Sequence, residues 1–358
     1  MTSTDSSVFD EVLVDHIEVA VVDLGSATRW LTEGYGFVVA AESAGPAETR
    51  SVELVRNDIR FVLTEAQVDD HATAAYIERH GDGVSDIALR VKDAAAAYEE
   101  AVRRGARSVA PPSTQDGTVT AKIIGFGDVT HTFVQPLGAA AERVLPGQRR
   151  VANEAADPGA GLLTVDHFAV VVEPGRIDDN VEFYRTTLDF ELIFDDRIVV
   201  GDQAVVTKVV QSRSGAVTLT LIEPDSSQSA GHIDEFLKDH GGPGVQHIAF
   251  TADSITETVS TLGARGVEFL DTPDTYYQLL RERVELSRYS VDEVQALNIL
   301  VDEDHDGQLL QIFTRSVHPR NTLFLEVIER LGSRSFGSGN IKALYEAVEL
   351  QRGRGDAS

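Results

Sequence analysis

Apolar and polar residues alternate in short runs along this chain, and the runs recur. Val14 opens VDHIEVAVVD and Val165 opens VDHFAVVVE, and a two-residue period of this kind predicts a β-strand in each. A helix-like stretch follows each one, ATRWLTEGYGF from Ala27 and NVEFYRTTLDF from Asn180, ending on an aromatic break. A second pair, HGDGVSDIALRVKD from His80 and HGGPGVQHIAFTAD from His240, leads into helical periodicity at AAAAYEEAVRRGARSV and ITETVSTLGARGVEFL. Gly105 in one, and Gly263 and Gly266 in the other, read as the helix stops. The chain therefore divides into four related units, two per half, each a strand, a helix and further strands. Units too small to bury their own sheets must pair. That predicts an α+β fold of two half-open, barrel-like sheets with helices outside. The halves are expected at residues 1–150 and 151–358, joined by the Ala-, Gly- and Pro-rich stretch from Pro136 to Gly161, which lacks strand alternation. Apolar Ile341, Leu344, Tyr345 and Val348 fall on one helical stripe. They predict a C-terminal helix closing over the second half, with GRGDAS as a frayed tail.

Composition narrows the chemistry. Hydrophobic residues make up 42% of the 358 and charged residues 25%, values that argue for a buried core and against disorder. A net charge of −27 repels nucleic acid and anionic membranes, so neither is an expected partner. There is no cysteine, which excludes disulfides, thiolate nucleophiles and Cys-ligated metals. MTSTDSSVFDEV lacks the basic and apolar regions of an export signal, and no apolar run reaches the ~18 residues of a membrane span. A soluble, cytoplasmic protein is the expectation. No glycine-rich dinucleotide loop is present either.

Three polar residues interrupt otherwise apolar strands. Alternation puts His167 on one face with Ala169 and Val171, His247 with Ala249, and Glu326 with Phe324 and Ile328. Burying such groups unpartnered costs on the order of several kcal/mol, so each needs a reason. A lone strand histidine is most often a hydrogen-bonded core residue, and a lone Glu near Glu329 and Arg330 can simply face solvent. Taken together, though, the three fall in successive units, and the first half does not repeat them. His16 matches His167, but Asp86 stands where His247 does, and the THTFVQPL strand has no acid to match Glu326. A structural need would act in both halves. Two neutral imidazoles and one carboxylate on converging strands form the facial arrangement that leaves open positions on non-haem Fe(II).

With VDHFAVVV, GPGVQHIAF, QLLQIFTR, LFLEVIERLG and SFGSGNIKALYEAVE, the chain resembles the 4-hydroxyphenylpyruvate dioxygenase family, a two-half member of the vicinal-oxygen-chelate fold. The resemblance implies four βαβββ modules, the first pair without metal and the second holding Fe(II) through His167, His247 and Glu326. It implies 4-hydroxyphenylpyruvate and O2 as substrates, and a homo-oligomer, taken as a dimer, is expected. One branch of the family hydroxylates the ring to give homogentisate, and the 4-hydroxymandelate synthase branch hydroxylates the benzylic carbon. Where the dioxygenases carry Phe in GNFKALFE this chain has Ile341, and where they carry Pro and Asn it has Thr220 and Ile222 in TLTLIEPD. These departures point to the mandelate branch, with Ile341, Phe336 and Gln311 as the residues steering the reaction. Thr207, Thr220, Ile222, Gln311, Phe336 and Ile341 are the expected substrate contacts. Leu325 joins Phe336, Ile341 and Ile222 as a candidate apolar wall. Gln308 reads equally well as a surface loop residue, and His232 departs from the family's glutamine and receives no role. His71, His80, His131, His240, His305 and His318 read as solvent histidines. The rival readings are the homogentisate-forming enzyme and a non-catalytic small-molecule-binding protein of the same fold.

Overall fold

The computed structural model describes residues 7–45, 47–138, 145–152, 159–340 and 342. Its first half runs β1 (Leu13–Ala20), α1 (Leu24–Arg29) with a π-helical turn at Trp30–Gly34, β2 (Val38–Ser43), β3 (Thr49–Arg56) and β4 (Ile59–Ala66). It continues with α2 (Ala72–His80), β5 (Gly83–Arg90), α3 (Ala94–Arg103), β6 (Ser108–Gln115), β7 (Thr118–Phe126), β8 (Val129–Pro136) and β9 (Gln148–Arg150). The second half has β10 (Leu162–Val171), α4 (Ile177–Leu188), β11 (Glu191–Val200), β12 (Gln203–Gln211) and β13 (Thr218–Pro224). After α5 (His232–His240) come β14 (Gly244–Ala252), α6 (Ile255–Ala264), α7 (Asp274–Arg283), α8 (Val291–Ala296), β15 (Leu300–Glu303), β16 (Gln308–Phe313) and β17 (Phe324–Leu331).

The strand order is β6-β7-β8-β5-β1-β4-β3-β2-β9 in one sheet and β11-β12-β13-β10-β14-β17-β16-β15 in the other. In each module the first strand lies parallel to that module's last, as β1 to β4, β5 to β8, β10 to β13 and β14 to β17. Such a parallel return needs a crossover, which the module's helix supplies. Modules then join in antiparallel pairs, β1 with β5 and β10 with β14. The result is two curled half-barrel sheets of two βαβββ modules each. Helices α1, α3 and α6 start where a polar residue just after the strand, Asp23, Asp93 or Ser254, turns its side chain to accept a backbone N–H of the first turn.

Two local expectations change. The connecting stretch does contain a strand: β9 pairs with the open edge of β2, Ala41 facing Arg150 and Ser43 facing Gln148. Three residues are too few to show alternation, and it is the edge of β2 that makes them a strand. Gly263 lies inside α6, and Gly266, at φ +88°, follows its end. Phe168, Val170 and Phe250 enter a core cluster that also contains Phe61 of the first half, whose ring meets Phe250 edge to face at 6.0 Å. Among the described residues no helix is long and apolar enough to cross a membrane. The expected closing helix lies outside the described residues beyond Asn340, except Lys342, and GRGDAS lies outside them entirely.

Candidate metal centre

Sheet register brings the three polar side chains together. His167 on β10 lies opposite Ala249 on β14, which lies opposite Glu326 on β17. The neighbouring row is Ala169, His247, Phe324. Because Ala169 and Ala249 end at Cβ, they leave open the space into which the larger side chains converge. Nε2 of His167 and Nε2 of His247 lie 3.4 and 3.3 Å from the same atom, Glu326 Oε2. All three residues are buried, Glu326 to 2% exposure. Burial, opposed by Glu326, holds His247 below its ordinary pKa, a shift that favours the neutral, lone-pair-bearing imidazole. Glu326 Oε2 accepts no hydrogen bond. A buried carboxylate oxygen left in that state is costly. A cation held by Glu326, His167 and His247 would remove the cost, and this donor set suits a divalent metal.

Two β-bulges set the histidines' outer nitrogens. Val165 pairs with Phe250 and His167 with Ala249, so Asp166 is an extra residue on β10. A bulge re-aims its side chain, and Asp166 Oδ1 meets His167 Nδ1 at 2.8 Å. On β14 the register shift at Gln246 lets its Oε1 approach His247 Nδ1 at 3.3 Å. An acceptor at Nδ1 keeps the proton there and turns the Nε2 lone pair toward Glu326. Arg330 in turn grips Asp166 with two hydrogen bonds of 2.8 Å, from Nε and Nη2. Burial alone would raise the Asp166 carboxyl, but Arg330 and then His167 hold it well below the usual carboxylate range. Strict alternation puts Asp166 on the face opposite His167, so sequence reasoning passes over it. The recurring Asp-His dipeptide, Asp15–His16 and Asp166–His167, is the signal that points to it.

Aromatic rings close around the cluster. Phe313 and Phe324 pack on His247 at 5.5 and 5.1 Å, and Phe336 meets His167 edge-on at 5.6 Å. Thr220 pairs with Ala169, Ile222 with Val171, and Thr207 with Ile222, which places all three on the face that carries His167. Thr220 Oγ1 is buried and without a hydrogen-bond partner. Gln311 pairs with Ile328, on the Glu326 face of the sheet, and Gly337 (φ +76°) lies so close over its amide that a Cβ there would collide with it. Ile341 lies outside the described residues. Leu325 does not wall the site. It pairs with Ile248 on the opposite face, within the main core.

Other expectations are corrected. Gln308 is buried, accepting from Ser287 N and Oγ and donating to Glu285 O and Glu303. His80, His131, His240 and His318 are buried rather than solvent-facing. His131 bonds Tyr184 Oη at 2.8 Å, and His80 stacks on His240 at 4.4 Å. Each is buried by a contact from the other half of the chain, which no local pattern records. His71 caps α2, and His305 and His232 are exposed. His305 sits in a surface loop with Asp304 and Asp306, where Asp304 is already committed to the N–H groups of Asp306, Gly307, Arg334 and Ser335.

The first half shows what the same framework does with different residues. Asp86 lies opposite Glu18, as His247 lies opposite Ala169. Leu89 pairs with Phe133 as Phe250 pairs with Val327, so Thr132 stands where Glu326 does. Asp86 accepts from the hydroxyls of Thr130 and Thr132 at 2.5 and 2.8 Å. Lys122 Nζ lies 3.4 Å from the same carboxylate, which raises the lysine's pKa. Here the polar cluster carries its own cation. His16 keeps its Asp15 partner at 2.7 Å.

Paired βαβββ modules curled into half-barrels, with two histidines and a carboxylate on the central strands of one, define the vicinal-oxygen-chelate class. The glyoxalase/bleomycin resistance protein/dioxygenase superfamily matches residues 164–312, and the N-terminal hydroxyphenylpyruvate dioxygenase family matches residues 15–141. A 4-hydroxyphenylpyruvate dioxygenase of Dictyostelium discoideum is 35% identical, with 94% of this chain and 97% of that protein covered. One of Danio rerio is 34% identical over 93% and 89%. Among solved structures, a substituted variant of 4-hydroxymandelate synthase from Streptomyces coelicolor is 39% identical, with a TM-score of 0.85 over 95% of this chain and 98% of that one. The chain belongs to the 4-hydroxyphenylpyruvate dioxygenase family.

Proposed function

We propose that this chain is an Fe(II)-dependent dioxygenase that takes 4-hydroxyphenylpyruvate and O2 to 4-hydroxymandelate and CO2. The metal reading is carried by the orphaned, buried Glu326 Oε2 between two imidazole nitrogens. His167, His247 and Glu326 would hold the ion. Bound there, ferrous iron would supply the redox and Lewis-acid chemistry for a keto acid and O2 held at the site, turning a bimolecular encounter into a bound one. The chain does the rest. Asp166 and Gln246 hold the imidazoles in register, and Phe313, Phe324 and Phe336 exclude water from the reacting face. On the substrate side, Thr220 offers an unpartnered hydroxyl, Gln311 an amide, and Thr207 and Ile222 further wall.

The benzylic outcome is supported by Thr220, Ile222 and Ile341 standing where the ring-hydroxylating enzymes carry Pro, Asn and Phe. A branched Ile in place of a flat Phe removes a wall against the ring and lets it swing away. Loss of the Asn amide removes a polar partner. Likeness to a 4-hydroxymandelate synthase at 39% identity points the same way. The homogentisate-forming reading is favoured by the dioxygenase names of relatives at 34–35% identity. Incubating Fe(II)-loaded protein with 4-hydroxyphenylpyruvate in air, and identifying the product by chromatography and mass, separates the two. The expected product is 4-hydroxymandelate. Homogentisate as main product would move the chain to the other branch and leave the metal centre intact. No O2 uptake by iron-loaded protein would overturn the enzymatic reading.

A further inference from the structure

We propose that Arg330 is a positioning residue that couples the closing segment, residues 333–340, to His167, so that filling the metal centre and seating that segment stabilise each other. The proposal rests on the metal reading above. Arg330 divides its donors between two structures. Nε and Nη2 grip Asp166, which holds His167 Nδ1. Nη1 donates to the backbone carbonyls of Ser335 at 2.7 Å and Ser333 at 3.3 Å. Its guanidinium also lies 5.2 Å over the ring of Phe336, and that ring packs edge-on against His167. His167, Asp166, Arg330 and Phe336 thus form a closed ring of contacts. Phe336 cannot leave without uncovering both the imidazole and the guanidinium.

The rest of the segment is anchored elsewhere. Asp304 Oδ2 accepts from Ser333 Oγ and from the N–H groups of Arg334 and Ser335, each at 2.8 Å. Asp302 accepts from Gly339 N, and Tyr276 donates to Asn340 Oδ1. Those anchors fix where the segment sits but do not reach a candidate ligand. Arg330 binds the segment directly and reaches His167 through Asp166. In the first half Arg90 binds Asp15, the partner of His16, through Nε at 3.0 Å, so the His–Asp–Arg chain recurs there away from the metal cluster. The role asks for arginine specifically. A planar fork satisfies a carboxylate with two donors and still has others for the carbonyls, whereas lysine is a point charge. Coupling of this kind is reciprocal: whatever metal binding adds to the segment's order, the ordered segment adds to metal affinity.

Hydrogen exchange of the backbone in residues 333–340 of the full chain, with and without Co(II) under anaerobic conditions, tests this, with metal occupancy measured in parallel. Co(II) should slow exchange in the wild type by about 10-fold, within the range for coupled sites. At matched occupancy the slowing should fall below about 2-fold in Arg330→Lys, while Arg90→Lys behaves as wild type. Phe336→Leu opens the same ring of contacts without altering a charge. It should lose the slowing too, and it serves if Arg330→Lys does not fold. Full slowing in Arg330→Lys or Phe336→Leu, or none in metal-bound wild type, overturns the coupling while the metal centre stands. A wild type that binds no Co(II) removes both.

Discussion

Glu326 has a buried oxygen that no hydrogen bond satisfies, and leaving such an atom unpaired costs about 1–3 kcal/mol. In Glu326→Gln an amide N–H can donate to either imidazole, at the 3.3–3.4 Å now separating oxygen and nitrogen. The metal-free variant should therefore melt no lower than wild type and gain on the order of 1 kcal/mol, while the rise in Tm that Fe(II) gives the wild type disappears. Thermal unfolding with and without Fe(II) reads both signs, and a variant destabilised without metal would contradict this account of the oxygen. Ile341→Phe tests a different residue. It should shift part of the product toward homogentisate, read by chromatography of a single turnover mixture, and an unchanged product would mean that Ile341 does not steer the ring. At this scale the sequence displays His167, His247 and Glu326 because each breaks an apolar strand. It hides Asp166 and Arg330. The bulge that turns Asp166 toward His167 leaves no mark on the alternation, and Arg330 reaches Asp166 only because β10 and β17 flank the same strand.

On strand β14, Ala249 occupies the middle of the row between His167 and Glu326, and its small size keeps those side chains in reach of one another. Ala249→Leu should cost about 1–3 kcal/mol by overpacking and abolish Fe(II) binding in a chain that still folds. Equilibrium dialysis against Fe(II) checks it, with a circular dichroism spectrum to confirm the fold; a folded Ala249→Leu that keeps its ion would show that the alanine is not needed. The four modules were legible from the repeated Val-Asp-His and His-Gly runs, because each repeat marks the same strand. What escaped that reading is local. β9 exists only as a partner of β2, and α7 and α8 are inserted into the fourth module without counterpart in the other three. Leu325 shows the limit of reading walls from sequence neighbours. One step along a strand from Glu326, it faces the opposite side and belongs to the core.

The halves of the molecule meet at the ends of α2 and α5, where His80 stacks on His240. His80 Nε2 meets Asp128 Oδ2 at 2.9 Å and its Nδ1 meets His240 O at 2.7 Å, the oxygens accepting, and Arg79 and Arg320 lie alongside. Burial first, then neighbouring His80, lowers the pKa of His240 to about 4. Unfolded, it protonates near the ordinary value of about 6.5. Between these values the unfolded chain binds more protons, so the contribution of His240 is full above about pH 6.5 and is lost as pH falls toward 4. The slope is at most about 1.4 kcal/mol per pH unit. Urea unfolding of wild type and His240→Gln across that interval should show the wild type losing stability faster on acidification. Parallel curves would mean that His240 does not titrate with folding. The burial of this pair was not legible in HGDG and HGGPG, since each histidine is covered by the half to which it does not belong.

Counting ferrous ions bound per chain by anaerobic dialysis is the most direct test of the idea that three distant residues serve one metal. Wild type should bind one, and His167→Ala, His247→Ala and Glu326→Ala should each bind close to none. An ion retained at full occupancy by any of the three variants, or no ion in the wild type, would contradict it.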